Sequence, residues 1–96
     1  MSVAETMRRK LIAALGPYRL VIKDESHLHA GHAGARAGGE SHFRVLIVSA
    51  AFEGEPGVAR QRRVNAALKE ELAGPIHALA MKTMTPAEYL AAADPA

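Results

Sequence analysis

Two runs of alternating side chains, Tyr18–Asp24 and His42–Ala50, constrain the fold of this chain more than any other feature. In the first, Leu20 and Ile22 fall on one side while Arg19, Val21 and Lys23 fall on the other. In the second, Phe43, Val45 and Ile47 oppose Arg44, Leu46 and Val48. A period of two is the mark of a strand with unequal faces, and the two runs are read as an antiparallel pair. Between them, residues 25–41 turn to Gly, Ala and His, and Gly31, Gly34, Gly38 and Gly39 give this backbone too much conformational freedom for regular structure. It is expected to be a mobile loop, and connections this long are usually functional or disordered.

Helix signals flank the pair. Ser2 and Glu5 have the spacing of a capping box, and Val3, Met7, Leu11 and Leu15 follow at every fourth position until Gly16-Pro17 stops the helix. After Phe52-Glu53-Gly54-Glu55-Pro56-Gly57, a second helix is predicted from about Val58 to Leu72, with Val64, Leu68 and Leu72 as its apolar stripe and Gly74-Pro75 as its end. Residues 76–82, from Ile76 to Lys82, are short, apolar and alternating. The strand-helix-strand order places them parallel to the second strand. Thr85-Pro86-Ala87-Glu88 combines an N-cap, a proline at the first helical position and another capping box, opening a last short helix with Tyr89 and Leu90. The order αββαβα describes an α+β fold, helices packed on a three-stranded mixed sheet, in a single domain over residues 1–96 without internal repeats.

Composition narrows the chemistry. With 96 residues, 49% of them hydrophobic, the chain can build one core and no second domain. It contains no cysteine, which excludes a disulfide framework, a thiol nucleophile and a thiolate metal site made by this chain alone. Twelve Lys and Arg against ten Asp and Glu give a formal charge of +2, too weak by itself to imply nucleic acid or an anionic membrane. No apolar run approaches the roughly 20 residues needed to cross a bilayer, and Met1–Lys10 lacks the apolar stretch of a signal peptide, so the expected location is the cytoplasm. No nucleophile with an adjacent base, no phosphate-binding glycine loop and no H-E-x-x-H site is found, so an enzyme is not expected. Asp24 and Glu25 are adjacent carboxylates, but neighbouring strand residues point to opposite faces and cannot share a proton.

Two groups of residues carry candidate binding chemistry. His27, His29 and His32 form an H-x-H-x-x-H run that either is solvated or binds zinc or nickel weakly. His42 is read as a packed or capping histidine or a secondary ligand, and the pattern around His77 alone favours a strand-edge histidine bonded to a backbone carbonyl. Arg60, Arg62, Arg63 and Lys69 form the densest positive patch. Arg60 and Arg62 project in nearly opposite directions and Glu70 and Glu71 follow, which favours a solvated or partner-facing helix over phosphate binding. Tyr18, Phe43, Phe52 and Tyr89 are expected in or near the core, leaving few aromatics for base stacking.

Taken together, Asp24-Glu25-Ser26, His29, Ser41-His42-Phe43-Arg44-Val45, Ile47-Val48-Ser49, Phe52-Glu53-Gly54, Arg60-Gln61-Arg62, Glu70-Glu71-Leu72 and Ile76-His77-Ala78-Leu79 follow one another in a way that resembles the BolA family from about Met7 to Glu88. The resemblance implies a fold similar to the class II KH domain, without the G-x-x-G loop with which true KH domains grip a nucleic-acid backbone. It implies a non-enzymatic partner of monothiol glutaredoxin that shares a [2Fe-2S] cluster, acting in iron–sulfur and iron homeostasis and its stress-linked regulation. In that picture the glutaredoxin and glutathione supply thiolates and this chain supplies nitrogen: His77 as the C-terminal ligand and His29 as the loop ligand, with His32 and His42 as further candidates. The partner would dock at the sheet edge and the glycine-rich loop, and the free chain would be a monomer or weak homodimer. Some family members are DNA-binding transcriptional regulators, and that alternative would use the Arg60–Lys69 helix.

Two departures from the family pattern stand out. Gln61 replaces the histidine of an Arg-His-Arg triplet, so that nitrogen ligand is missing. The helical wheel puts it beside Val64 and Leu68, in a partly buried hydrogen-bonding role. The loop is longer than in many relatives and resembles a branch whose loop ligand is His rather than Cys.

Overall fold

The computed structural model describes residues 2–26 and 41–93. Helix α1 spans Val3–Leu15. Ser2 Oγ accepts a hydrogen bond from the Glu5 N–H at 3.0 Å, as an N-cap should. Met7, Leu11 and Leu15 are its buried face. The helix ends at Gly16, whose φ of 49° is left-handed and whose N–H donates to the Ile12 carbonyl. Ser49, wholly buried, donates its hydroxyl to the Leu15 carbonyl at 2.6 Å, satisfying an acceptor that the helix end would leave orphaned.

Strand β1 (Arg19–Asp24) pairs antiparallel with β2 (His42–Val48), in a register running from Arg19 opposite Val48 to Asp24 opposite Phe43. Strand β3 (Ala78–Met84) runs parallel to β2, from His42 opposite Ala78 to Val48 opposite Met84, and the order is β1-β2-β3. The α+β reading with a three-stranded mixed sheet therefore holds. Phe43, Val45 and Ile47 of β2 join Met7, Leu11, Leu15, Phe52, Val64, Leu68 and Ile76 in one buried core, with Leu20, Ile22, Leu79 and Met81 packed against it. Val48 is also fully buried although it points to the other face, where α4 (Pro86–Ala93) lies against β3.

The helix expected over Val58–Leu72 is two helices, α2 (Gly57–Ala67) and α3 (Lys69–Ala73), because Leu68 leaves helical geometry at φ −107°, ψ 20°. Hydrogen bonds continue around the bend, Leu68 N–H to the Val64 carbonyl and Leu72 N–H to the Leu68 carbonyl. The short α3 sets Glu71 against α1, where Lys10 Nζ meets its carboxylate at 2.7 Å. The third strand starts later than expected. Ile76 drops into the core, its N–H donating to the Glu71 carbonyl, and the ladder begins only at Ala78. Tyr18, expected near the core, is 61% exposed.

The capping box at the last helix is formed in full. Thr85 N–H donates to Glu88 Oε1 at 2.8 Å and Glu88 N–H donates to Thr85 Oγ1 at 3.1 Å. No helix among the described residues is long and apolar enough to cross a membrane.

Candidate functional site

The chain leaves β1 and returns to β2 through a hydrogen-bonded base built from Asp24, Ser26 and Ser41. Asp24 Oδ1 accepts from the Ser26 N–H at 2.9 Å, the two-residue side-chain turn that Asp favours. The Ser26 hydroxyl oxygen then accepts from the N–H groups of Ser41, at 2.9 Å, and His42, at 3.2 Å. Glu25 N–H donates to the His42 carbonyl, carrying the ladder one residue beyond β1. Ser26 and Ser41 are 5% and 0% exposed, so this junction sits inside the protein, not at the free ends of a loop. Local composition does not single out Ser26, but the Asp-x-Ser spacing does, and it lies in the Asp24-Glu25-Ser26 motif of the family resemblance.

The parallel pairing of β2 and β3 brings two histidines together at the same end of the sheet. The Ser41 carbonyl accepts from the N–H groups of both His77, at 2.7 Å, and Ala78, at 3.2 Å, which fixes His77 immediately before β3. The His42 and His77 rings lie 5.2 Å apart between centroids, tilted by 51°. They differ in access. His42 is 5% exposed, with Nδ1 2.9 Å from Ser41 Oγ, whereas His77 is exposed. A packed His42 and an accessible His77 thus stand side by side.

No group of three or more His, Cys, Asp or Glu side chains able to hold a metal ion occurs among the described residues. His29 and His32 lie outside them. Of His42 and His77, His77 has the accessible ring, and imidazole is a borderline donor suited to iron or zinc.

A family model described as BolA-like protein matches residues 11–88. This chain belongs to the BolA-like family. It is 49% identical over 87 residues to mouse BolA-like protein 1, covering 91% of this chain and spanning 61% of the length of that relative. It is 41% identical over 91 residues to the DNA-binding transcriptional regulator BolA of Haemophilus influenzae, covering 95% of this chain and 84% of that protein. Among solved structures, BolA1 from Arabidopsis thaliana superposes with a TM-score of 0.82 at 47% identity, covering 92% of this chain and 96% of that one.

In this BolA-like chain two of the four cations of the basic segment, Arg60 and Arg63, are paired with carboxylates outside α2. Arg60 donates to both Glu88 oxygens, at 2.6 and 3.1 Å, to the Glu55 and Thr83 carbonyls, and lies over the Phe52 ring. Arg63 holds Glu55 in a two-pronged pair at 2.7 and 2.8 Å. The Arg63 guanidinium lowers the Glu55 pKa, and the Arg60 guanidinium with the Thr85 N–H brings Glu88 to about 2. Arg62 and Lys69 remain exposed on the helix surface. Gln61 does not take the partly buried position expected for it. The inward stripe runs Arg60, Val64, Ala67 and Leu68, and Gln61 is exposed beside it.

One further expectation needs correction. Gly54-Glu55-Pro56-Gly57 does have G-x-x-G spacing and leads directly into α2. Its second residue is a carboxylate, Glu55, whose side chain is held by Arg63 and whose backbone carbonyl accepts from Arg60. The spacing is present without the positive surroundings that backbone gripping requires.

Proposed function

We propose that this BolA-like protein is a non-enzymatic partner of a monothiol glutaredoxin, with His77, assisted by His29 from the segment after Ser26, completing a bridging [2Fe-2S] cluster. The observation that carries the reading is the placement of an exposed His77 against His42, next to the Ser26–Ser41 junction from which the His29 segment departs. The absence of cysteine is consistent with it, since the sulfur ligands would come from the glutaredoxin and glutathione. Such a cluster supplies one-electron or cluster-transfer chemistry, and imidazole ligation raises its potential relative to all-thiolate ligation.

This chain's part is to present nitrogen. Backbone bonds to the Ser41 carbonyl fix where His77 stands, while its ring stays open to a second protein. His42, packed against Ser41, supports that end of the sheet and is the secondary candidate. His32 remains a further candidate by sequence. The DNA-binding reading draws no support from the geometry, because two of its four cations, Arg60 and Arg63, are spent on Glu88 and Glu55.

The test is a titration of cluster-loaded monothiol glutaredoxin with this protein, followed by visible absorption and circular dichroism. The spectrum is expected to change on addition of the wild-type chain and to change much less with His77→Ala. An unaltered spectrum, or one indifferent to His77→Ala and His29→Ala alike, would remove the proposal. A parallel anisotropy titration with duplex DNA at low salt should show no binding of comparable strength.

A further inference from the structure

Among the described residues, one face of the sheet is covered by α1 and α2 and the other only by α4, at the Met84 end. On the uncovered part, the strand registers place Val21, Leu46 and Lys82 in one row and Lys23, Arg44 and Ala80 in the next. Arg19 closes the end nearer α4, where its guanidinium stacks 5.9 Å from the Tyr89 ring centroid. These side chains form a groove of about 370 Å³, its floor made by half-buried Val21 and Leu46 and its rim by exposed Arg19, Lys23, Arg44 and Lys82. Glu25 meets Arg44 at 3.1 Å at the border, so among the described residues four cations face one neighbouring carboxylate, in a chain whose total formal charge is only +2.

We infer that this open sheet face docks an acidic polypeptide segment of a partner protein, one that carries an apolar side chain between carboxylates. Charge and shape both select this occupant. A second copy of the same face would set like charges against each other. A single-stranded nucleic acid would want aromatic planes for its bases, but the centre is aliphatic. The tyrosines at its end, Tyr18 and Tyr89, meet edge to face at 6.4 Å, with Arg19 already on Tyr89. An acidic segment instead gains charge-assisted hydrogen bonds at the rim and buries its apolar residue against Val21 and Leu46. His42 is on the same side of β2 as Arg44 and Leu46, one position beyond Arg44 on that face of the strand. The inference does not rest on the cluster reading, and it is tested without metal.

The probe is a fluorescein-labelled peptide, Glu-Asp-Glu-Leu-Glu-Asp-Glu, titrated with the full chain at low ionic strength and followed by anisotropy. Binding is expected to weaken as salt is raised, to weaken when the central Leu is replaced by Ser, and to fall by about tenfold or more in a Lys23→Glu, Lys82→Glu double variant. An Arg8→Glu, Arg62→Glu double variant removes the same charge from exposed positions elsewhere and should bind nearly as well as wild type. Amide shifts on the wild-type chain should map to Val21, Leu46 and Ala80, which keeps the test independent of any variant's folding. The inference is overturned by no binding at low salt, by equal losses in the two double variants, by shifts elsewhere, or by tighter binding of an oligothymidylate than of the acidic peptide.

Discussion

The imidazole of His77 stands in the open with its ring centroid 5.2 Å from that of His42, which is 95% removed from solvent and packed against the Ser41 hydroxyl. One backbone atom organises the pair: the Ser41 carbonyl, immediately before β2, accepts from the N–H groups of His77 and Ala78 at the start of β3. Parallel pairing thus puts His42, the first residue of β2, beside His77, the residue just before β3, with one ring structural and the other presentable.

That asymmetry separates the two histidines in a stability measurement. His77→Ala removes an exposed side chain and should change the unfolding free energy by no more than about 0.5 kcal/mol. His42→Ala strips a buried ring from its contact with Ser41 and should cost about 1–3 kcal/mol. Urea denaturation of both variants in the metal-free state decides this, and equal losses would mean that the two rings do not divide the work.

The Ser26 hydroxyl should matter more than its place at the edge of a glycine-rich segment suggests. It is the acceptor for two N–H groups, those of Ser41 and His42, at a buried junction. Ser26→Ala removes the acceptor that both donors share at this junction and should cost about 1–3 kcal/mol. Native-state hydrogen exchange should show faster exchange at the Ser41 and His42 amides than at Val45 or Ile47 in the middle of β2. Uniform acceleration across the strand would refute a local role.

Local patterns were readable where the deciding interactions are themselves local. The alternation of Leu20 and Ile22 with Val21, the Ser2 cap, the left-handed Gly16 and the Thr85–Glu88 box all depend on neighbours within four residues, and all are present. What the pattern could not carry is set by pairing between distant segments. The approach of His42 to His77 follows from the β2–β3 register, and the burial of Val48 follows from α4 crossing its end of the sheet. Tyr18 looked like a core residue by type, but it precedes the strand and its exposed ring lies against Tyr89 of α4, outside the core. The groove on the open face was invisible for the same reason, since Arg19, Lys23, Arg44 and Lys82 come from three strands and no linear charge run announces them.

The Arg60–Glu88 pair ties α2 to α4 and should give stability a defined acid dependence. Glu88 titrates at about 2 in the folded chain, well below the ordinary glutamate value of 4.5, because the Arg60 guanidinium and the Thr85 N–H favour its charged form. The unfolded chain therefore binds more protons than the folded chain within that window, and stability rises with pH through it. The contribution is complete above about pH 4.5 and is lost as the pH falls toward 2. Glu88→Gln should lower the urea midpoint at neutral pH and converge with wild type near pH 2. Glu55, lowered by Arg63, adds a slope of the same sign, so the variant's acid dependence should shrink without vanishing. An undiminished slope in Glu88→Gln would show that the pair does not act in this way.

The bend at Leu68 makes unequal partners of residues that a helical stripe treats alike. Val64, Leu68 and Leu72 are four apart, but four residues overshoot a 3.6-residue turn by about 40°, so a straight helix would already carry the third of them about 80° away from the first. The chain turns at Leu68 instead, keeping that side chain fully buried in the core while Leu72 is only half-buried and Glu71 swings onto Lys10. Leu68→Ala should therefore open a cavity among Met7, Leu11, Phe52 and Val64 neighbours of the same core, at about 2–5 kcal/mol. Leu72→Ala should lose only the transfer term of a partly exposed side chain, about 1 kcal/mol. The comparison is made by chemical denaturation with the slope held as a check on two-state behaviour. Comparable losses would mean that α2 and α3 share one continuous apolar face and that the bend has no energetic consequence.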